Sequence, residues 1–136
     1  MPDPVQEQQF LQYERLKQLE EERIRLEEEK QALMEKALKL KGTWQGQCVV
    51  AARKFIDATR DDISGRARDL QVNSDIPEIG AIIKLNMSKV GHVGIVLDET
   101  ETTIIYYDSN GSWTQRASIR EIKKDDPKIL GYKIIN

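Results

Sequence analysis

The sequence contains one cysteine and one histidine, and these two residues have the greatest capacity for chemistry. Cys48 follows a glycine-containing turn, GTWQG at 42–46, and begins a segment with apolar residues at helical spacing. The free N–H groups and dipole of a helix N-terminus stabilise both a thiolate and an oxyanion. The position therefore predicts a nucleophile, although most free cysteines are simply small buried apolar residues.

His92 lies in the segment VGHVGIVL, early in an alternating pattern that predicts a β-strand. A cysteine nucleophile needs a base that is distant in sequence and close in space. His92 is the only imidazole in the chain, so we predict that it is this base. A core or edge histidine with satisfied ring nitrogens is the alternative.

A third polar group ends the next predicted strand, as Asp108-Ser109-Asn110. If the strands carrying His92 and Asp108 pair through a hairpin at 98–101, these two residues lie close together. A carboxylate or amide at that point can orient the imidazole and favour its charged form. Either Asp108 or Asn110 can fill this role, and Asp-Ser-Asn-Gly is also an ordinary turn sequence.

The elements that must position these residues begin with a long helix at 6–41, a segment without Gly or Pro. Leucines recur every seven residues at 19, 26, 33 and 40, but the companion heptad position is half charged. An isolated helix is only marginally stable in water. The helix is therefore predicted to self-associate or to dock on another protein, with a solvated spacer as the alternative. The predicted domains are 1–42 and 43–136.

After residue 42 the pattern changes. A helix is predicted at 48–59 and a short one near 66–71. Segments rich in β-branched and aromatic residues follow at 81–85, 92–97, 102–107 and 128–135, with a fifth short strand at 113–118. One helix followed by a run of antiparallel strands indicates an α+β domain, with the nucleophile-bearing helix packed on the sheet.

Composition excludes several classes of function. The net charge is −2, from 21 Lys and Arg against 23 Asp and Glu, so there is no basic excess for nucleic acid or anionic lipid. One Cys and one His are too few for a Cys/His zinc site. No apolar run approaches the roughly 20 residues of a membrane span. The segment MPDPVQEQQF lacks the features of a secretory signal.

Residues 44–135 resemble the CHAP family, the cysteine- and histidine-dependent amidohydrolases and peptidases that cut bacterial cell-wall peptides. The resemblance is carried by GQC at 46–48, PEIGA at 77–81, GHVG at 91–94, DSN at 108–110 and DPKILGY at 126–132. It implies a papain-like, CHAP-type fold. It also implies a peptidoglycan hydrolase, either an N-acetylmuramoyl-L-alanine amidase or an endopeptidase.

The resemblance assigns roles to individual residues. Cys48 would be the nucleophile, His92 the general base and acid, and Asp108 the group that orients His92, with Asn110 as a second polar group nearby. Gln47 would supply the side chain of the oxyanion hole. We also expect Trp44 and Trp113 to line the substrate groove, with buried packing as the alternative for each.

The sequence departs from the family in two places. VVAARKF follows the cysteine where many members have Thr-Trp-Tyr, and the aspartate cluster that holds calcium in some phage relatives is missing before Cys48. We therefore predict no metal site and no cofactor.

Three alternatives stay open. They are an NlpC-type cysteine peptidase, a structural or adaptor protein with a catalytically silent CHAP-like module, and an amidase acting on a small amide. NlpC-type members usually show Asp-Cys-Ser-Gly at the nucleophile, unlike this sequence. A cell-wall enzyme without a visible signal peptide would suit a phage lysin or a virion component. The sequence itself does not assign a compartment.

Overall fold

A computed structural model describes residues 3–135, so residues 1, 2 and 136 of the predicted domain ranges lie outside the described residues. It contains two α-helices, a short 3₁₀ helix and five strands. In chain order they are α1 Pro4–Leu40, α2 Cys48–Phe55, the 3₁₀ helix Ala67–Asp69, β1 Ile82–Leu85, β2 His92–Glu99, β3 Thr103–Ser109, β4 Ala117–Lys123 and β5 Ile129–Lys133. The predicted α+β class, with a long N-terminal helix and an antiparallel sheet, is confirmed.

The long helix α1 has a capped start and an abrupt end. The Asp3 carboxylate accepts a hydrogen bond from the N–H of Gln6 at 2.8 Å, and Pro4 occupies the first helical turn, where no N–H is needed. The helix stops before Gly42, which has a left-handed backbone with φ of +82°. Among the described residues, no helix combines the length and apolarity that crossing a bilayer requires.

Among residues 3–135, only the last part of α1 packs against the other elements. Ala37 is fully buried, Leu33 and Leu40 pack on the same core, and Lys36 Nζ donates to the carbonyl of Phe55 at 2.5 Å. The last two leucines of the heptad pattern, Leu33 and Leu40, therefore have apolar partners within this chain. Leu19 and Leu26 are exposed, so association through the helix stays a prediction for its N-terminal part.

The five strands form one antiparallel sheet in the order β4-β3-β2-β1-β5. The hairpin that pairs β2 with β3 places the start of one strand beside the end of the other, as predicted. Helix α2 packs on one face of the sheet, where Phe55 stacks on Tyr107 with ring centroids 4.2 Å apart. Alternating residues of the strands build a second apolar cluster around Ile83 and Tyr106.

Two predicted elements differ most from the observed ones, while the other predicted strands differ by one or two residues at their ends. Helix α2 ends at Phe55 rather than at residue 59, because Asp57 takes a left-handed backbone with φ of 53°. The strand predicted at 113–118 was misplaced. Trp113 and Gln115 have positive φ and belong to a loop, so β4 begins only at Ala117 and continues to Lys123.

Gly94 on the central strand β2 should tolerate no side chain. A Cβ atom there would lie 2.6 Å from the carbonyl oxygen of Tyr107 and 2.7 Å from the ring of Tyr106. We expect Gly94→Ala to lower the free energy of unfolding by about 2–3 kcal/mol, because the neighbouring strand must move. Chemical denaturation followed by circular dichroism measures this change.

Gly42→Ala is the matched control. A Cβ at Gly42 meets nothing within 4 Å, so only its left-handed backbone is strained, at a cost of about 1 kcal/mol. Equal losses for the two variants would contradict the packing argument.

Candidate active site

Cys48 is the first residue of α2, and the turn before it is held from two sides. Gly46 has a left-handed backbone with φ of +86°, and Gln47 is extended, so the chain turns sharply into the helix. The N–H of Gly46 donates to the carbonyl of Gln115 at 3.1 Å, and Ser109 Oγ donates to the carbonyl of Gly46 at 2.6 Å. Ser109, at the end of β3, and Gln115, in the loop that follows, therefore fix the position of the Cys48 thiol.

His92 is the first residue of β2 and is buried. Its Nε2 lies 2.7 Å from Asp108 Oδ2, and its ring is near enough to Cys48 for each of these two side chains to shift the pKa of the other. Since Nε2 is taken by Asp108, Nδ1 is the nitrogen available to the thiol. The preceding Gly91 is required here, because its φ is +76° and a Cβ atom would lie 2.8 Å from the backbone nitrogen of Arg68.

The Asp108 side chain is fully buried and accepts hydrogen bonds from three side chains. Besides His92, Ser118 Oγ donates to Oδ1, and Arg120 Nε lies 3.1 Å from Oδ1 and 3.0 Å from Oδ2. A buried carboxylate is stable only when it is paired and hydrogen-bonded. These contacts hold Asp108 as a fixed anion against the imidazole.

Asn110 has a different position from Asp108. It follows β3 with a left-handed φ of 65°, and its Oδ1 accepts the N–H of Gln115 at 3.0 Å. This amide therefore stabilises the loop before β4. Of the two predicted orienting residues, the structure brings Asp108 onto His92, and Asn110 lies at the rim of the same cleft.

The electrostatics favour a thiolate–imidazolium pair. Burial alone would raise the pKa of the Cys48 thiol, but the hydrogen bond and positive charge of His92 outweigh it. With help from the N–H groups of Val93 and Val49, they lower the pKa below its usual value. Burial opposes the charged form of His92 too, but Asp108 and Cys48 together raise its pKa to about 9.

The raised pKa of His92 links protonation to folding. Its ordinary pKa is 6.5, so proton binding favours the folded state. That contribution is complete below about pH 6.5 and is lost as the pH rises through about 9. The link between protonation and folding has the opposite sign for Asp108, because its pKa is lowered in the folded state. Burial would raise its pKa, but hydrogen bonds from His92 and Ser118 and the charges of His92 and Arg120 lower it, so its contribution is lost only in acid.

The pair opens into a cleft of about 380 Å³. Gln47 and Trp113 line this cleft, as predicted for oxyanion-hole and substrate-groove residues, and the Gln47 side chain makes no capping hydrogen bond with its own helix. Trp44 does not line this cleft. It is 66 % exposed, and its ring lies beside Gly46 rather than in the cleft. Both tryptophans are exposed, so neither takes the alternative of buried packing.

Sequence reasoning missed Ser118 and Arg120. Ser118 pairs directly with Asp108 in the β3–β4 register, and Arg120 lies two residues further on the same face. The alternation in ASIREIK, at 117–123, could have indicated both residues. A strand predicted at 113–118 ends before Arg120 and so does not show that the two residues share a face.

No group of three or more His, Cys, Asp or Glu side chains that could hold a metal ion occurs within residues 3–135. No family model matches this chain, and comparisons with curated proteins and with solved structures found no match.

The thiol of Cys48 should react rapidly with iodoacetamide near neutral pH. In His92→Ala the burial of the thiol persists while the imidazolium is removed. We therefore expect the alkylation rate at pH 7 to fall by about tenfold or more, because the thiolate is the reactive form. The rate is measured by mass spectrometry between pH 5 and 10. Superimposable pH profiles for the two proteins would contradict the ion pair.

Because His92 is the only histidine, its titration can be followed by NMR without overlap, and this titration tests the effect of Arg120 on the His92–Asp108 pair. Arg120→Gln removes a positive charge that shares Asp108 with His92, so the midpoint of the His92 titration should move upward from about 9. Arg116→Gln is the control, because Arg116 donates to the carbonyl of Gly42 and not to Asp108. An unchanged or lower midpoint in Arg120→Gln would show that the guanidinium does not act on this pair.

Proposed function

We propose that this chain is a cysteine-nucleophile amidohydrolase or peptidase of the CHAP type, acting on peptide or amide bonds of peptidoglycan. One observation carries the proposal. Cys48 at a helix start and His92 at a strand start line one cleft, and Asp108 at the end of the next strand lies 2.7 Å from the His92 ring. The same three residues carry the sequence motifs of the family.

The proposed reaction is acyl transfer. The Cys48 thiolate attacks an amide carbonyl, and the C–N bond breaks as His92 protonates the leaving amine. The backbone N–H of Cys48 and the side chain of Gln47 stabilise the oxyanion of the tetrahedral intermediate. A water molecule activated by neutral His92 then hydrolyses the thioester and regenerates the thiolate. Throughout, Asp108 keeps Nδ1 of the imidazole directed at the sulfur.

The arrangement of the helix and the sheet supports assignment to a papain-like, CHAP-type fold. In a papain-like domain the nucleophile lies at the N-terminus of a helix that packs on an antiparallel sheet carrying the histidine, and α2 and β2 have this relation. Gly-Gln-Cys-Val favours the CHAP type over the NlpC type. The buried carboxylate of Asp108 argues against a catalytically silent module. Burying a carboxylate costs free energy even when it is paired, and a chemical role gives a reason to keep it.

The proposed partner is bacterial peptidoglycan, and the exposed N-terminal part of α1 is the proposed attachment to another protein or a second copy. This part of the helix carries exposed apolar side chains, including Phe10, Leu11, Leu16 and Leu19. A phage lysin or virion component would use such a helix for docking. The proposal for the site does not depend on this placement.

Purified protein and its Cys48→Ser variant should be incubated with peptidoglycan isolated from several bacteria. We expect wild type to release new amino groups without new reducing sugar ends, and Cys48→Ser to lose at least about 10³-fold in rate, because it lacks the thiolate. Mass spectrometry of the fragments identifies the bond that is cut.

Trp44→Ala is the control that should retain activity, since this exposed residue lies outside the cleft. Release of reducing ends, or equal release by wild type and Cys48→Ser, would contradict a cysteine amidohydrolase.

A further inference from the structure

The cleft has two chemically different sides. Residues 65–67, 87–88 and 90–91 form one of them, which we call the arginine side, and the N–H of Arg68 joins these loops by donating to the carbonyl of Val90 at 2.8 Å. Gln47, Asn110, Gly111 and Trp113 form the other, the amide side.

Charge is distributed unevenly over this lining. Apart from His92, Arg66 is the only charged side chain among the described residues that line the cleft, and no carboxylate lines it. The charges of the Cys48 thiolate and the His92 imidazolium offset each other, which leaves Arg66 as the remaining cation of the lining. A substrate with a negative group near the reacting amide is therefore favoured over a neutral or cationic one.

Arg66 has free capacity to bind such a group. Its Nε donates to Asp69 Oδ2 at 2.9 Å, which fixes the direction of the side chain, while its terminal nitrogens make no hydrogen bond with residues 3–135. Arg68 binds the same carboxylate from 3.8 Å but does not line the cleft. The two arginines thus share one local environment and differ in their access to Cys48.

We propose that Arg66 forms a carboxylate-binding subsite, and that the substrate carries a free carboxylate close to the amide bond that Cys48 attacks. The planar guanidinium can present its two terminal nitrogens to one carboxylate, an arrangement that lysine cannot reproduce. The substrate half of this inference rests on the proposed function. The anion-binding half does not, because it concerns only the approach of a charged reagent to the thiol.

Alkylation with two reagents tests the anion subsite without any substrate. Iodoacetate and iodoacetamide react with the same thiolate and differ in charge, and Cys48 is the only cysteine in the chain. The ratio of their rates, normalised to the ratio for glutathione, reports the local field. We expect Arg66→Gln to lower this ratio about three- to tenfold at low ionic strength, and added salt to remove most of the difference.

Arg68→Gln is the matched control, and its ratio should stay within about twofold of wild type, because this arginine does not face the cleft. His92 contributes equally in all three proteins and so cancels. An unchanged ratio in Arg66→Gln would overturn the proposal. Equal decreases in both variants would overturn it too, since they would indicate a diffuse surface field rather than a subsite.

A pair of synthetic peptides tests the substrate half. One carries a free carboxylate beside the scissile amide, and the other carries a carboxamide in its place. Wild type should prefer the carboxylate peptide at least about tenfold in kcat/KM. Arg66→Gln should lose this preference mainly through KM, while Arg66→Lys should retain part of it. Cleavage of both peptides without preference would refute the carboxylate requirement and leave the amidohydrolase proposal intact.

Discussion

The buried carboxylate of Asp108 is the interaction on which the architecture of the site depends. A charge without solvent contact is tolerated only if donors surround it, and here the donors come from two neighbouring strands. His92 reaches it from β2, while Ser118 and Arg120 reach it from β4. The register of both strand pairs must therefore be correct before the anion is compensated, so the sheet and the site depend on the same contacts.

The apolar core supplies the rest of the positioning. Helix α2 packs Val49, Ala52 and Phe55 onto the sheet, which leaves Cys48 at the boundary between the core and the cleft. At this boundary the thiol is dry enough to interact strongly with His92 and open enough to meet a substrate. Burial normally raises the pKa of a cysteine thiol and so reduces its reactivity, but here the adjacent imidazolium lowers that pKa.

Much of this arrangement could be predicted from the sequence, since it depends on local patterns. The helix start at Cys48, the strand at His92 and the hairpin that returns to Asp108 each have a short-range signal. The prediction failed where positive-φ residues other than glycine intervene, at Asp57 and Trp113, because no common sequence rule forces these residues to adopt that backbone. Arg120 was missed for the same reason, as an error in strand position hides the face that its residues share.

Helix α1 has a mechanical consequence for the site. After Pro4 it continues without Gly or Pro from its exposed N-terminal part into the turns that pack on the domain. After it ends, the N–H of Gly42 donates to the carbonyl of Ala117 and the carbonyl of Thr43 accepts the N–H of Ala117, just ahead of the nucleophile turn. Residues 4–29 thus make a lever of about 40 Å with no hinge in its own sequence. Because the last turns of α1 pack on the domain and the residues after it bond to Ala117, a force applied to the exposed end would be transmitted to β4, the strand that carries Ser118 and Arg120.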